Sequence, residues 1–207
     1  YMMVFENQGD FSFAQRVEWI DYLVGRGLTA GDMDNDGDID LISSYSTDNN
    51  SPKVLYNQGN FQFVSNDPSS NVFMMNAQNS IASVADYDMD GDMDIFHNGG
   101  YYYRNDGNFL YRNKSVGNNW IKIKLTGTES NASAIGAKVV ISTDSSSLLQ
   151  EVSTINGAYS GPELTQHFGL GSRTSADVEI TWPSGNVQTF TGLAANQVHE
   201  FTEIPSN

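Results

Sequence analysis

The chain contains no cysteine. A disulfide scaffold, a thiolate zinc site and a thiol nucleophile are therefore excluded. Basic residues are also scarce, since ten lysines and arginines stand against 25 aspartates and glutamates and the net charge is −15. Because the sequence offers no basic patch, we expect no nucleic-acid partner. The sequence also lacks an apolar run long enough to cross a bilayer, so no membrane span is predicted.

The acidic residues are concentrated in two segments that share the pattern D-x-D-x-D-G-D-x-D, at residues 32–40 and 86–94. Carboxylates packed so closely repel one another unless a cation lies between them. The glycine at position 6 permits the sharp turn that wrapping around an ion requires. The spacing therefore predicts two Ca²⁺ sites. Their candidate metal residues are Asp32, Asp34, Asp36, Asp38, Asp40, Asp86, Asp88, Asp90, Asp92 and Asp94.

Each position in the acidic segments has an expected role. Positions 1, 3, 5 and 9 are expected to bind the ion through their side chains, and position 7 through its backbone carbonyl. The side chains of Asp38 and Asp92, at position 7, are then expected to face water. An EF-hand would carry a bidentate glutamate at position 12, but Ser43 and His97 stand there, and β-type residues follow the acidic segments. These loops are therefore expected to precede strands, not helices.

A second repeat is interleaved with the acidic segments. Residues 5–13, 55–63 and 103–111 align without gaps, and each has an Asn-x-Gly turn between short apolar strands, which is the pattern of a β-hairpin. Each repeat of roughly 50 residues would then contain a strand, the acidic loop, a second strand and a hairpin. Four short strands per repeat are typical of a β-propeller blade.

These motifs resemble two known families. The acidic loop, the strand after it and the Asn-x-Gly hairpin resemble the FG-GAP repeat of integrin-type β-propellers. The remainder of the chain resembles the ASPIC/UnbV domain of the cartilage acidic protein-like family. The segments that carry this second resemblance are 120–125, 134–139, 167–171, 182–185 and 196–199. The two resemblances imply FG-GAP-like propeller blades at residues 1–115 and an ASPIC/UnbV-like β domain at residues 116–207.

The predicted fold class is all-β, with a partial β-propeller followed by a small antiparallel β-sandwich. Segments 120–125, 138–142, 178–182 and 187–190 alternate or are rich in β-branched residues, and turn-forming residues separate them. A propeller ring needs about four to eight blades, whereas this chain supplies two blades and, in residues 1–20, the last half of another. Exposed strand edges invite pairing with another chain. We therefore expect a homo-oligomer or a filament.

The sequence carries little that indicates catalysis. His97, His167 and His199 are each alone in their sequence neighbourhood, and the closely spaced carboxylates lie inside the acidic segments. A carboxylate that holds calcium is not free to act as a general acid, so we predict that the protein is not an enzyme. Calcium sites of extracellular modules have dissociation constants of about 10⁻⁴ to 10⁻³ M. We therefore expect a secreted or cell-surface structural or adhesion module, with a matrix protein as a candidate partner.

Two other functions stay open. Exposed aromatic rings could stack on sugars, which would make the chain a calcium-dependent carbohydrate-binding module with a glycan partner. The aromatic residues in question are Trp19, Tyr101, Tyr102, Tyr103, Trp120 and Trp182. The chain could also be an accessory domain of a larger secreted protein. Three Asn-x-Ser sequons are candidate glycosylation sites of a glycoprotein: Asn49, Asn113 and Asn131.

Overall fold

The regular elements of the described chain are all β-strands, which confirms the predicted all-β fold class. The computed structural model describes residues 2–20, 28–43, 53–65, 82–97, 108–114, 117–144, 146–155 and 161–206. Within these ranges no helix has the length and apolar character needed to cross a membrane.

Short strands form three sheets in the N-terminal part of the chain. They are β1 (Met2–Asn7), β2 (Phe13–Ile20), β3 (Leu28–Gly31), β4 (Asp40–Ser43), β5 (Lys53–Asn57), β6 (Phe63–Ser65), β7 (Ala82–Ala85), β8 (Asp94–His97) and β9 (Phe109–Tyr111). Strands β3 to β6 form a four-stranded antiparallel sheet in sequential order, as expected of a propeller blade. Strands β7, β8 and β9 form a second antiparallel sheet. Among the described strands, β1 and β2 pair only with each other.

The Asn-x-Gly turns form the predicted hairpins in the first two copies. The side-chain oxygens of Asn7 and Asn57 each accept a hydrogen bond from the backbone N–H of the glycine two residues later, at 2.9 and 3.1 Å. These glycines, Gly9 and Gly59, have φ angles of 78° and 81°, which glycine adopts without a steric penalty. The turns reverse the chain between β1 and β2 and between β5 and β6.

The third copy departs from the sequence alignment. Tyr111 occupies the structural position of Leu55, since each pairs with the second residue of the strand that follows an acidic loop. The alignment places Tyr111 opposite Phe63 instead and is wrong at this point. The register is fixed by a 2.7 Å hydrogen bond from the backbone N–H of Asn113 to the last carboxylate of the loop, a long-range contact that the hairpin motif does not encode. Residues 103–107 of this copy lie outside the described residues.

Two more sheets form the C-terminal part. Their strands are β10 (Asn119–Thr126), β11 (Lys138–Ser142), β12 (Ser147–Glu151), β13 (Gln166–Gly171), β14 (Ser175–Thr181), β15 (Val187–Ala194) and β16 (Val198–Thr202). The sheet β12-β11-β14-β15 is antiparallel, but in the sheet β13-β10-β16 the pair β10 and β16 is parallel. The prediction of a wholly antiparallel sandwich is therefore wrong for this pair. Parallel pairing requires a long connection, which the other strands of the domain supply.

Each part has its own hydrophobic core. The N-terminal core combines side chains from two sheets, such as Ile42 of β4 and Val84 of β7. In the C-terminal core Ile121 of β10 packs with Ile180 of β14, so the two sheets form a sandwich. Full burial of one such side chain stabilises the fold by about 1.5–3 kcal/mol. The predicted domain boundary at residues 115 and 116 lies outside the described residues.

Candidate metal centres

The two acidic segments fold into loops with the same hydrogen-bond pattern, called here loop 1 (residues 32–40) and loop 2 (residues 86–94). In both, the glycine at position 6 donates its N–H to the carboxylate at position 1, at 2.9 Å in loop 1 and 3.1 Å in loop 2. The two oxygens of position 9 accept the N–H of position 2 and the N–H of Asn57 or Asn113. The glycines at position 6 have φ angles of 99° and 93°. The local sequence therefore curls each loop around its carboxylates.

Three carboxylates of each loop converge. Those at positions 1, 3 and 9 each offer one oxygen, and the three oxygens lie within 4.8 Å of one another. The residues are Asp32, Asp34 and Asp40 in loop 1, and Asp86, Asp88 and Asp94 in loop 2. The Oδ1 atoms of Asp32, Asp86 and Asp88 are buried, and none accepts a hydrogen bond from the described residues. Because a buried carboxylate oxygen without a partner is unfavourable, each cluster fits a hard metal ion that prefers oxygen ligands.

The carboxylates at positions 5 and 7 lie outside these clusters. Asp36 and Asp90, at position 5, accept the backbone N–H of position 7 at 2.8 and 3.1 Å. At position 7 Asp38 is exposed, but Asp92 is half-buried and accepts a 3.0 Å hydrogen bond from Asn35 Nδ2 of loop 1. The expectation that Asp92 simply faces water is therefore wrong, because its carboxylate connects the two loops. The ligand roles of position 5 and of the position 7 carbonyl stay predictions.

Burial makes the three clustered carboxylates of loop 1 resist ionisation. Desolvation, with a smaller contribution from neighbouring carboxylates, raises the pKa of Asp32 and of Asp40 to about 7, although backbone hydrogen bonds oppose the shift. Desolvation also raises the pKa of Asp34 and, in loop 2, of Asp94. A bound cation would favour the charged form of all four groups and so reverse these shifts.

Two basic side chains from outside loop 2 form ion pairs with its carboxylates. The Arg112 guanidinium lies 2.7 Å from Asp88 Oδ2 and 2.8 Å from Asp90 Oδ2. Burial is the largest single influence on Asp90 and would raise its pKa, but the hydrogen bond and charge of Arg112, together with the N–H of Asp92, outweigh burial and lower the pKa. Lys122 Nζ lies 3.2 Å from Asp86 Oδ2, and both side chains are almost completely buried. Part of the negative charge of loop 2 is therefore balanced within the protein.

The C-terminal part lies directly against loop 1, a contact that the sequence did not predict. The Gly169 N–H donates to Asp32 Oδ2 at 3.1 Å, and the Gly171 N–H donates to the Asn35 carbonyl at 2.8 Å. His167 Nε2 lies 2.7 Å from Asn35 Oδ1. A Cβ atom at Gly169 would lie 2.1 Å from Asp32 Oδ2. The available signal was the His-Phe-Gly-Leu-Gly segment, whose glycines allow close approach of another backbone, but nothing local shows what approaches.

The described histidines and tryptophans take part in packing. Trp182 is buried, and Trp120 stacks on His167 with ring centroids 6.3 Å apart. His97 is buried edge-on against Tyr111, and His199 Nε2 lies 2.9 Å from the carbonyl of Ala194. The Trp19 side chain and residues 101–103 lie outside the described part of the structure. Of the aromatic residues proposed to stack on sugars, the structure therefore describes only Trp120 and Trp182, and both pack against the protein itself.

The three sequons lie in different environments. Asn113 is buried, and its side-chain Nδ2, the atom to which a glycan would be attached, donates hydrogen bonds to two backbone carbonyls. The folded chain therefore disfavours glycosylation at Asn113. Asn131 is exposed in a turn, and Asn49 lies outside the described residues. Both stay predictions.

Comparison with known families agrees with the fold and the loops. Residues 32–97 match the family model of the FG-GAP-like repeat, and residues 127–207 match that of ASPIC and UnbV. The chain thus carries FG-GAP-like repeats followed by an ASPIC and UnbV domain, which confirms the resemblance seen in the motifs. The first matched range lies within the predicted domain at residues 1–115, and the second lies within the predicted domain at residues 116–207.

The chain is also similar to curated proteins of vertebrates. It is 31% identical over 122 residues to cartilage acidic protein 1 of Homo sapiens, and 29% identical over 123 residues to that of Xenopus tropicalis. These alignments include 58% and 59% of this chain but only 18% and 19% of the relatives. The chain therefore spans about a fifth of the length of the curated relatives that it matches.

Proposed function

We propose that this chain is a non-catalytic, calcium-binding structural or adhesion module that works outside the cell, with one Ca²⁺ in each acidic loop. The observation that carries the proposal is a set of buried carboxylate oxygens that accept no hydrogen bond from the part of the chain that the structure describes: Asp32 Oδ1 in loop 1, and Asp86 Oδ1 and Asp88 Oδ1 in loop 2. Without a cation these Oδ1 atoms lose their hydration and gain no hydrogen bond from the described residues in return. A divalent cation would coordinate and neutralise them together.

Calcium suits this donor set better than zinc or magnesium. Every donor in the two described clusters is a carboxylate oxygen, whereas zinc prefers the nitrogen and sulfur of His and Cys. Magnesium requires a near-ideal octahedron and retains water, while calcium accepts about six to eight oxygens in variable geometry. The clustered carboxylates at positions 1, 3 and 9, together with the predicted carboxylate of position 5 and carbonyl of position 7, would supply five of these ligands, and a bidentate carboxylate or water would complete the shell.

Calorimetric titration of Ca²⁺ into metal-stripped protein tests this function. We expect two calcium ions per chain and only weak heat with Mg²⁺. The double variant Asp34→Asn/Asp88→Asn should bind neither ion tightly, while Asp10→Asn/Asp177→Asn, which removes the same charge at sites outside the loops, should bind as the parent does. A parent chain that binds no calcium at millimolar concentration would refute the proposal.

The extracellular location is supported by the type of loop and by the names of the relatives. Extracellular calcium modules have dissociation constants of about 10⁻⁴ to 10⁻³ M, and we expect these loops to fall in that range. The matched relatives are named for cartilage and for acidity, and this chain has a net charge of −15. A structural role would follow if calcium locks the junction between strands in each repeat.

The proposal includes association with further copies through the β1–β2 hairpin. Its side chains Phe5, Phe11 and Phe13 are 51%, 102% and 62% exposed. A cluster of exposed aromatic residues is typical of an interaction surface. Because β1 and β2 pair only with each other among the described strands, the edges of this sheet are available for pairing with another copy.

A further inference from the structure

Five residues on two adjacent strands form a surface, called here the docking face, that contacts loop 1 through β13 and loop 2 through β10. They are Trp120 and Lys122 of β10, and His167, Gly169 and Gly171 of β13. Trp120 pairs with Gly169 and Lys122 pairs with His167 in the sheet, so the docking face is one continuous patch. It belongs to the C-terminal domain, whereas the loops belong to the FG-GAP-like repeats.

The docking face contacts the same carboxylate oxygen in each loop, Oδ2 of position 1. In loop 1, Asp32 Oδ2 accepts the N–H of Gly169 at 3.1 Å. In loop 2, Asp86 Oδ2 accepts a 3.2 Å hydrogen bond from Lys122 Nζ. The loop's own glycine supplies the second hydrogen bond to this oxygen in both cases. The other oxygen, Oδ1, is buried and accepts no hydrogen bond from the described residues in either loop.

Asn35 extends this contact from one loop to the other. Its carbonyl accepts the N–H of Gly171 at 2.8 Å, and its Oδ1 lies 2.7 Å from His167 Nε2. Its Nδ2 then donates to the carbonyl of Gly91 at 3.2 Å and to Asp92 Oδ1 at 3.0 Å. The docking face therefore holds the residue that joins loop 1 to loop 2.

We propose that the docking face positions the first carboxylate of both metal centres, so that cation binding and docking of the C-terminal domain stabilise each other. This inference rests on the proposed calcium-binding function. The docking face contacts each carboxylate through Oδ2, while Oδ1 is buried and accepts no hydrogen bond from the described residues, so Oδ1 remains for a cation. A cation bound to Oδ1 favours the same orientation, and thermodynamic linkage makes the stabilisation reciprocal. The C-terminal domain then orients the first carboxylate of each metal centre without itself binding the ion.

A variant in the docking face tests the proposal without changing any loop residue. A Cβ atom at position 169 would lie 2.1 Å from Asp32 Oδ2, so Gly169→Ala pushes the docking face away from loop 1. Gly192→Ala is the matched control, because Gly192 has a φ of 65° and its Cβ would meet nothing within 4 Å. The control strains the same domain without touching a loop. We expect Gly169→Ala to weaken calcium binding at one site by about tenfold or more and Gly192→Ala to leave both sites unchanged.

Hydrogen exchange on the unmodified chain provides a second test that does not depend on folding of a variant. The amides of Gly169 and Gly171 donate to loop 1, whereas the Gly192 amide donates to Asp177 within its own domain, at 2.8 Å. We expect added Ca²⁺ to slow exchange at Gly169 and Gly171 by about tenfold or more and to leave Gly192 unchanged.

The outcomes separate the two proposals. If the parent chain binds no calcium, the proposed function fails and the coupling fails with it. If the parent binds two ions but Gly169→Ala binds them equally well, or calcium leaves exchange at Gly169 and Gly171 unchanged, the coupling alone is overturned.

Discussion

The side-chain amide of Asn113 donates a 2.7 Å hydrogen bond to the backbone carbonyl of Met33, 80 residues earlier in the chain. The same amide donates to the carbonyl of Met93 at 3.1 Å. Met33 lies in loop 1 and Met93 in loop 2, so one buried side chain joins the two candidate metal centres from the core side. The loops are therefore coupled to each other as well as to the C-terminal domain.

We predict that Asn113→Ala lowers the free energy of unfolding by about 1–3 kcal/mol, because it leaves buried carbonyls without their donor. Asn57→Ala is the matched control. Asn57 occupies the same position after loop 1, and both side chains also accept a local backbone N–H through Oδ1, but Asn57 Nδ2 makes only an exposed 3.3 Å contact with the Ile39 carbonyl. Urea denaturation measures both changes. Equal destabilisation by the two variants would show that the bridge between the loops contributes nothing.

Removal of metal should destabilise the N-terminal part. A ligand that binds only the folded state stabilises it by about 2.7 kcal/mol per site at a hundredfold excess over Kd. For a chain of this size that corresponds to roughly 5–10 °C in Tm for each occupied site. We expect calorimetry to show this fall after treatment with EDTA and recovery after addition of Ca²⁺. An unchanged melting curve, with metal removal verified by elemental analysis, would contradict a structural role for calcium.

The positions of loop 1 should tolerate substitution unequally. Asp34→Ala removes a carboxylate of the cluster, and we expect calcium affinity at that site to fall by about tenfold or more. Asp38→Ala removes an exposed side chain and retains the position 7 carbonyl, so affinity should change less than about twofold. Titration calorimetry ranks the two variants. Comparable losses would show that the assignment of ligands to positions is wrong.

Glu203 should make stability depend on pH at the C-terminal end. Burial opposes its ionisation, but hydrogen bonds from Ser184, Ser130 and Thr128 together outweigh burial and lower the pKa of Glu203 from its ordinary value of 4.5 to about 2. Because the folded pKa is depressed, the stabilisation is complete above about pH 4.5 and is lost as the pH falls toward 2. Glu203→Gln should therefore lower Tm at pH 7, and the difference from the parent should shrink below pH 4.5.

Glu200→Gln is the control for this pH dependence. Glu200 is exposed and pairs with Lys124 at the surface, at 3.0 Å, and such pairs contribute little. We expect its Tm to follow the parent at every pH. A Tm difference between Glu203→Gln and the parent that stays constant from pH 7 to pH 3 would rule out the titration of Glu203 as its cause.

The aromatic side chains of the β1–β2 hairpin should govern assembly. Phe11 is fully exposed at the turn, so Phe11→Ser should leave Tm unchanged while reducing the molar mass measured by light scattering in millimolar calcium. Phe61 occupies the same place in the β5–β6 turn and is partly buried, so Phe61→Ser serves as the comparison and should retain the parent mass. A parent chain that remains monomeric at high concentration would overturn the assembly proposal.

The sequence by itself determined the features that rest on local spacing. Carboxylates at alternate positions with Gly37 and Gly91 predicted the loop conformation, because that turn depends on the φ angle of one residue and on contacts within a few residues. Alternating apolar residues predicted the strands, and Asn7 and Asn57 predicted two of the hairpins, because these features also depend on residues close together in the chain. The motifs also predicted both families, as the comparisons confirmed.

Only the tertiary structure decided how these local units meet. Lys122 lies beside Asp86, and Gly169 beside Asp32, although 36 and 137 residues separate them in the chain. The parallel pairing of β10 with β16 and the register of Tyr111 beside β8 likewise depend on packing between distant segments. Such contacts follow from the shape and burial of whole sheets, and a single sequence records neither. The carboxylates were therefore visible in the sequence, whereas the face that positions them was not.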